Sequence, residues 1–208
     1  SVSVSILQLL FYSGGILLLF LTPGPVWLAI VARTLSGGII AALPLATGVL
    51  VGDIIWPMLA IIGTNWITSN FLEVTTILRY LATATFLIMG IYIIRNADKP
   101  LTHGKTLTQP GAVAGFCSGL AVIIGNPKAI LFYIGVLPGF FNLAEVSCLD
   151  ILSIVAISCL LPFLGNILLS FLVDRVRFFL RSTKALRRTN IFSGVLLILV
   201  GLIILKIE

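Results

Sequence analysis

Five stretches of this chain, 6–31, 39–62, 78–94, 111–137 and 146–173, are apolar over about the length that a helix needs to cross the hydrocarbon core of a bilayer, roughly 20 residues. A sixth, 191–205, is shorter and still spans. A chain committed to this many apolar runs has no folded state in water. The composition agrees: 59% of the 208 residues are hydrophobic and 10% charged, with a mean hydropathy of +1.20, outside the range of soluble domains. The first run is read as a retained helix, not a leader, because no Lys or Arg precedes it and it far exceeds a hydrophobic leader core of about 7–15 residues. The chain begins at Ser1 without Met, and no reading here depends on what precedes it.

Thirteen Lys and Arg against seven Asp and Glu would suggest a nucleic-acid partner if their positions were ignored. Ten of the thirteen lie in connections after the first, third and fifth runs: Arg33; Arg95, Lys99 and Lys105; Arg175, Arg177, Arg181, Lys184, Arg187 and Arg188. By the positive-inside rule the connections 32–38, 95–110 and 174–190 face the cytoplasm and both termini face outward. The last of these stretches then lies near anionic lipid headgroups, and no nucleic-acid partner is implied. Asp150, Glu145, Glu73 and Asp98 fall at span edges, where a solvated charge is expected.

Cys117, Cys148 and Cys159 form no CxxC pair and no spacing with His that would hold a metal, so they read as apolar filling. His103, the one histidine, reads as a solvated loop residue. A six-helix thiol electron carrier would need a cysteine near a break in each half; the first run has none and Cys117 lacks a partner. The chain is therefore read as a non-enzyme with no cofactor and no metal.

The organisation is a single membrane domain, 1–208, with halves at about 1–95 and 111–208 joined by the connection 96–110. Segment 65–77 is mixed in character and is placed in the outer interface, its helix or loop state open. The halves resemble each other. Gly90 and Gly201 close similar helix ends 111 residues apart, Gly52-Asp53 matches Gly165-Asn166 at an offset of 113, and Pro23-Gly24-Pro25 has a counterpart in Gly125-Asn126-Pro127. Three helices per half is an odd number, so a repeated half enters the membrane inverted, and inverted repeats with interrupted helices mark secondary transporters.

Prolines at 23 and 25 around Gly24 break the first helix, and in hydrocarbon the freed backbone groups survive only beside protein or a cavity. The start of the second half-helix offers N–H groups and a positive dipole end to an anion. Thr22 either caps that half or gives its hydroxyl to a ligand. Asp53 is the one acidic residue well inside a span. It must face a cavity, carry a proton or pair with a cation. Gly48 and Gly52 open space beside it for a helix or a solute, and Pro57 loosens the next turn. Lys128, after Asn126-Pro127, is the matching intramembrane cation; against a functional role, each charge reads as snorkelling or structurally paired, and a salt bridge between the two as purely architectural. Asn166 would stand opposite Asp53 in the partner half. Gly14-Gly15 and Gly37-Gly38 would support close packing in a homodimer.

These residues carry a resemblance. Thr22-Pro23-Gly24-Pro25, Gly48-x-x-x-Gly52-Asp53, the run Gly125-Asn126-Pro127-Lys128-Ala129-Ile130-Leu131-Phe132 and Leu137-Pro138-Gly139-Phe140 make the chain similar to the LysE-type exporters, which include lysine, arginine and homoserine/threonine efflux proteins. The resemblance covers nearly the whole length and implies an all-α fold of six transmembrane helices. These form a 3+3 inverted repeat with helices 1 and 4 broken, in the bacterial inner membrane. It also implies alternating-access export of amino acids or related zwitterions, driven by protons. Under it Thr22, Pro23, Gly24, Pro25, Gly48, Gly52, Asp53, Asn126, Pro127 and Lys128 serve transport, and Asp53 couples the proton. The third run departs from the family pattern, with Tyr80-Leu81-Ala82 and Phe86 where many members carry a Trp-ended stretch, and Asn126 follows Ile-Ile-Gly. These departures leave the substrate open. A channel and a non-transport structural subunit stand as the alternatives.

Overall fold

The computed structural model describes residues 3–98, 111–177 and 183–206. The readings of Lys99, His103, Lys105 and Arg181 fall outside these residues. In chain order the elements are α1 (Ile6–Leu21), α2 (Pro25–Ile62), α3 (Thr64–Ser69), α4 (Phe71–Arg95), α5 (Ala112–Ile124), α6 (Pro127–Phe140), α7 (Cys148–Val176) and α8 (Thr183–Lys206). No strand occurs among the described residues. Helix α2, α4, α7 and the Arg187–Lys206 part of α8 are each long and apolar enough to cross a membrane, and α5 with α6 makes a fifth span bent by 47°. Leu7, Leu10, Phe11 and Leu18 on α1 and Leu152, Leu160 and Leu164 on α7 point outward. Such an apolar exterior is stable only against lipid. The protein is a multi-pass integral membrane protein.

Two helices start with reciprocal caps that the sequence spells out. Ser5 accepts from the Gln8 amide at 3.1 Å while the Gln8 side chain accepts from the Ser5 amide at 2.9 Å, and Ser147 with Asp150 repeats the arrangement on α7. Asp150 does more than this. Its carboxylate also accepts from the Ser3 amide and hydroxyl and from the Val4 amide. It is 1% exposed, contrary to the solvated charge expected, because five donors replace its water.

Gly38 interrupts α2 with φ 75° and ψ −174°, a conformation that suits glycine alone. A straight helix would hold Trp27 and Asp53 about 39 Å apart at 1.5 Å per residue, yet both border one cavity, so the chain folds back at Gly38. Arg33 pins the fold, donating to the Ala41 carbonyl at 3.1 Å and the Gly111 carbonyl at 2.9 Å. Expected as a charge of an inner connection, it is 2% exposed, its guanidinium donating to backbone carbonyls in place of water. Gly38 itself packs against Asp174 and Arg177, which form an ion pair of 3.3 Å. Gly37-Gly38 thus serves a turn within the chain.

The segment left open at 65–77 is helical on both sides of Asn70. The third span starts at Phe71, ahead of the expected 78, with Glu73 in its first turn where the helix dipole favours an acid. The cysteines divide: Cys159 is buried, whereas Cys117 and Cys148 are exposed and fill no core.

Helix α2 packs on α5 and α7, and α4 on α8. The α2–α5 contact is backbone against backbone. A Cβ on Gly48 would overlap the Phe116 carbonyl, and one on Gly119 the Leu45 carbonyl. Gly119→Ala is therefore expected to force the helices apart at a cost of about 1–3 kcal/mol, read as a lower melting temperature of the detergent-purified protein. A variant that melts like the wild type would show that the contact yields freely.

Candidate functional site

The two breaks in the chain lie side by side, and the backbone groups they free are met by side chains from elsewhere. At the end of α1, Thr22 donates its amide and its hydroxyl to the Leu18 carbonyl, so it caps the first half-helix and leaves the second uncapped by any side chain. The Phe20 carbonyl accepts from the Trp27 indole at 2.6 Å. The Leu19 and Thr22 carbonyls accept from the Lys128 ammonium at 2.9 and 2.6 Å. At the end of α5 the Ile123 carbonyl accepts from the Trp56 indole at 3.2 Å, and the Asn126 side chain accepts from the Lys128 amide to start α6. A break costs several kcal/mol in hydrocarbon when its groups go unmet; here four carbonyls around it have partners.

Asp53 is 4% exposed and is held by a second set of residues. Pro138 has no N–H to give the Ile134 carbonyl, and the helix widens there into a π turn over Phe132–Val136. Tyr133, in that turn, donates its hydroxyl to Asp53 Oδ1 at 3.0 Å and lies 3.2 Å from the Ser158 carbonyl. That carbonyl is available because Pro162, one turn on, lacks the N–H that would take it. Ser158 donates to the Ile154 carbonyl at 2.7 Å, which leaves its oxygen to accept from Tyr12. Toward the Asn142 end, the Tyr12 ring packs on Phe132, Phe140 and Phe141 with centroids 6.1, 5.5 and 5.2 Å away.

On the other side of Asp53 is a cavity of about 30 Å³, room for a water or so. Its polar lining is Asp53, Asn126, Lys128 and Asn166, and the remainder is apolar, including Leu19, Phe20, Trp27 and Ile123. Asp53 and Lys128 make no ion pair: among the described residues the lysine is directed to the α1 carbonyls. Among the described residues neither side-chain polar atom of Asn166 has a hydrogen-bond partner, though the residue is 1% exposed.

A model of the LysE type translocators matches residues 17–206. The chain belongs to this family. An uncharacterized membrane protein of Synechocystis is 30% identical to this translocator over 92% of each chain, and one of Pseudomonas aeruginosa is 27% identical over 78% of this chain and 76% of its own. The leucine efflux protein of Salmonella typhimurium is 29% identical over 63% of this chain and 62% of its own. No solved structure matches.

Of the residues singled out from the sequence, Asp53, Asn126, Lys128 and Asn166 meet at the translocator's cavity, whereas Thr22, Pro23, Gly24 and Pro25 form the break beside it, with Pro127 behind Asn126 as the first residue of α6. Gly48 and Gly52 are elsewhere: Gly48 against the α5 backbone and Gly52 against the Ile123 side chain, so the room they leave is taken by a helix. Tyr12, Tyr133 and Ser158 were not legible as site residues. The signal for Ser158 was present, since a proline four residues later frees its carbonyl.

Proposed function

We propose that this translocator is a secondary active exporter of amino acids, coupled to protons and working by alternating access, with both termini outside. The observation that carries the reading is the cavity, beside two broken helices, that brings Asp53, Asn126 and Lys128 together. The leucine efflux relative points to a neutral amino acid. Asp53 binds either a proton or the solute's ammonium group: it releases the proton inside, takes the solute, and exchanges it for a proton outside. The uncapped start of α2 and the third N–H of Lys128, two being engaged, face the solute carboxylate.

Six spans in a 3+3 inverted repeat, broken at α1–α2 and α5–α6, form the frame of this mechanism. The fold-back at Gly38 divides α2 into two passages. Contacts sort the connections to two ends: Ser3 meets Asp150 and Gln8 meets the Phe140 carbonyl at one, while Arg33 meets Gly111, Gly38 meets Asp174, and Asn190 meets the Ala97 carbonyl at the other. The packing repeats with the sequence. Gly90 abuts Gly194 and Ile198, and Gly201 abuts Thr83 and Leu87, the same partners shifted by 111. Gly52 abuts Ile123 before one break, and Gly165 abuts Phe20 before the other.

Against a channel, the cavity of about 30 Å³ is too small for an amino acid, so passage needs a change of conformation. The test is counterflow of labelled leucine in proteoliposomes with and without an imposed proton gradient. Saturable exchange that becomes uphill with the gradient is expected. Linear, unsaturable flux would favour a channel, and the absence of flux for every neutral amino acid would end the export reading.

A further inference from the structure

Resting on the export reading, we propose that Asn166 is a recognition residue that grips the carboxylate of the solute, and that the solute is an amino acid with an uncharged aliphatic side chain. Buried polar groups are almost always hydrogen-bonded, and one that is not calls for an account. Among the described residues Asn166 leaves both its amide N–H₂ and its carbonyl oxygen without a partner at 1% exposure, on the wall of the cavity that the Asp53 carboxylate and the Lys128 ammonium also line. Its place there is fixed: it follows Gly165, which seats against the Phe20 ring, and it is one turn after Pro162, also on the wall.

The chemistry of the wall assigns the ends of the ligand. Asp53 gives one carboxylate oxygen to Tyr133 and has the other for an ammonium group. Lys128 has spent two of its three N–H groups on backbone carbonyls. Beside the start of α2 this leaves a single side-chain N–H for a carboxylate, which accepts at two oxygens. The Asn166 amide supplies the second donor, and its oxygen can share the ammonium with Asp53. An α-amino acid zwitterion uses all of these groups at once, and this leaves no charge on the wall for a charged side chain. What remains is hydrocarbon, with Leu19, Val26, Val49 and Ile123 among it. A ligand that satisfies Asn166 also removes the cost of burying its amide unpaired.

The test uses the full chain purified in detergent, with thermal stabilisation as the binding signal and two probes, leucine and 3-methylbutylamine, which is leucine without its carboxylate. Wild-type protein is expected to bind leucine at least about tenfold more tightly than the amine, and to show no stabilisation with lysine or glutamate. Asn166→Leu is expected to weaken leucine about tenfold and leave the amine within about twofold, so that the preference collapses. Asn166→Asp, of the same size, exchanges the donor for an acceptor and is expected to weaken leucine while tightening the amine. Opposite signs cannot come from a folding defect. Folded variants that bind leucine like the wild type, or lose leucine and the amine equally, overturn the role of Asn166 and leave the export reading standing. A wild-type protein that responds to no neutral amino acid overturns both.

Discussion

Asp53→Asn is expected to abolish uphill export and to leave only a weakened downhill exchange, since the amide oxygen still accepts from the solute ammonium but without the charge. One proton crossing 100 mV supplies about 2.3 kcal/mol, which at about 1.4 kcal/mol per factor of ten sustains a solute ratio of about fortyfold; without a titrating group that ratio falls to one. Asparagine retains an oxygen for the Tyr133 hydroxyl, now 3.0 Å from Asp53 Oδ1, so the π turn of α6 and the carbonyl of Ser158 keep their arrangement. The measurement is the steady leucine ratio across proteoliposomes held at a fixed membrane potential, set beside the exchange rate at zero gradient. An asparagine variant that still concentrates leucine in response to protons would move the coupling to another group.

Lys128→Met is expected to cost stability before it costs transport. Methionine has similar length and no donor, so the Leu19 and Thr22 carbonyls, now 2.9 and 2.6 Å from the ammonium, would be buried unmet at about 1–3 kcal/mol each. Two such losses are a large share of the roughly 5–15 kcal/mol that holds a domain folded. The expected result is a sharply lower yield of monodisperse protein and a fall in melting temperature, partly restored by Lys128→Arg. Should Lys128→Met melt like the wild type and fail only in export, the ammonium would belong to the solute alone.

What the sequence disclosed was the part that local chemistry dictates. Pro23-Gly24-Pro25 and Asn126-Pro127 break helices wherever they stand, and α1 ends at Leu21 and α6 begins at Pro127 as those residues require. An acid and a base inside apolar runs were bound to be buried. The pairing of groups far apart along the chain was not legible. Tyr133 reaches Asp53 across 80 positions and Lys128 reaches Leu19 across 109, and no periodicity records which of several tyrosines, or which carbonyl, a tertiary fold will choose. For the same reason Gly48 and Gly52 read equally well as room for a solute and room for a helix. Asp150 looked like any span-edge acid because, beyond its local cap on Ser147, its partners Ser3 and Val4 lie 147 and 146 positions earlier in the chain.

That last contact has a consequence for how the chain is made. Helix α1 is tied by Asp150 just ahead of its start, by Ser158 at Tyr12 and by Lys128 at its end, and it packs on α7 and the last turn of α6. Every one of these partners is translated after it. At about 5–20 residues per second, α1 waits on the order of ten seconds for its seat, its broken end open to lipid and insertion machinery meanwhile. A ribosome stalled before Lys128 would leave the first helix synthesised, inserted and unmoored.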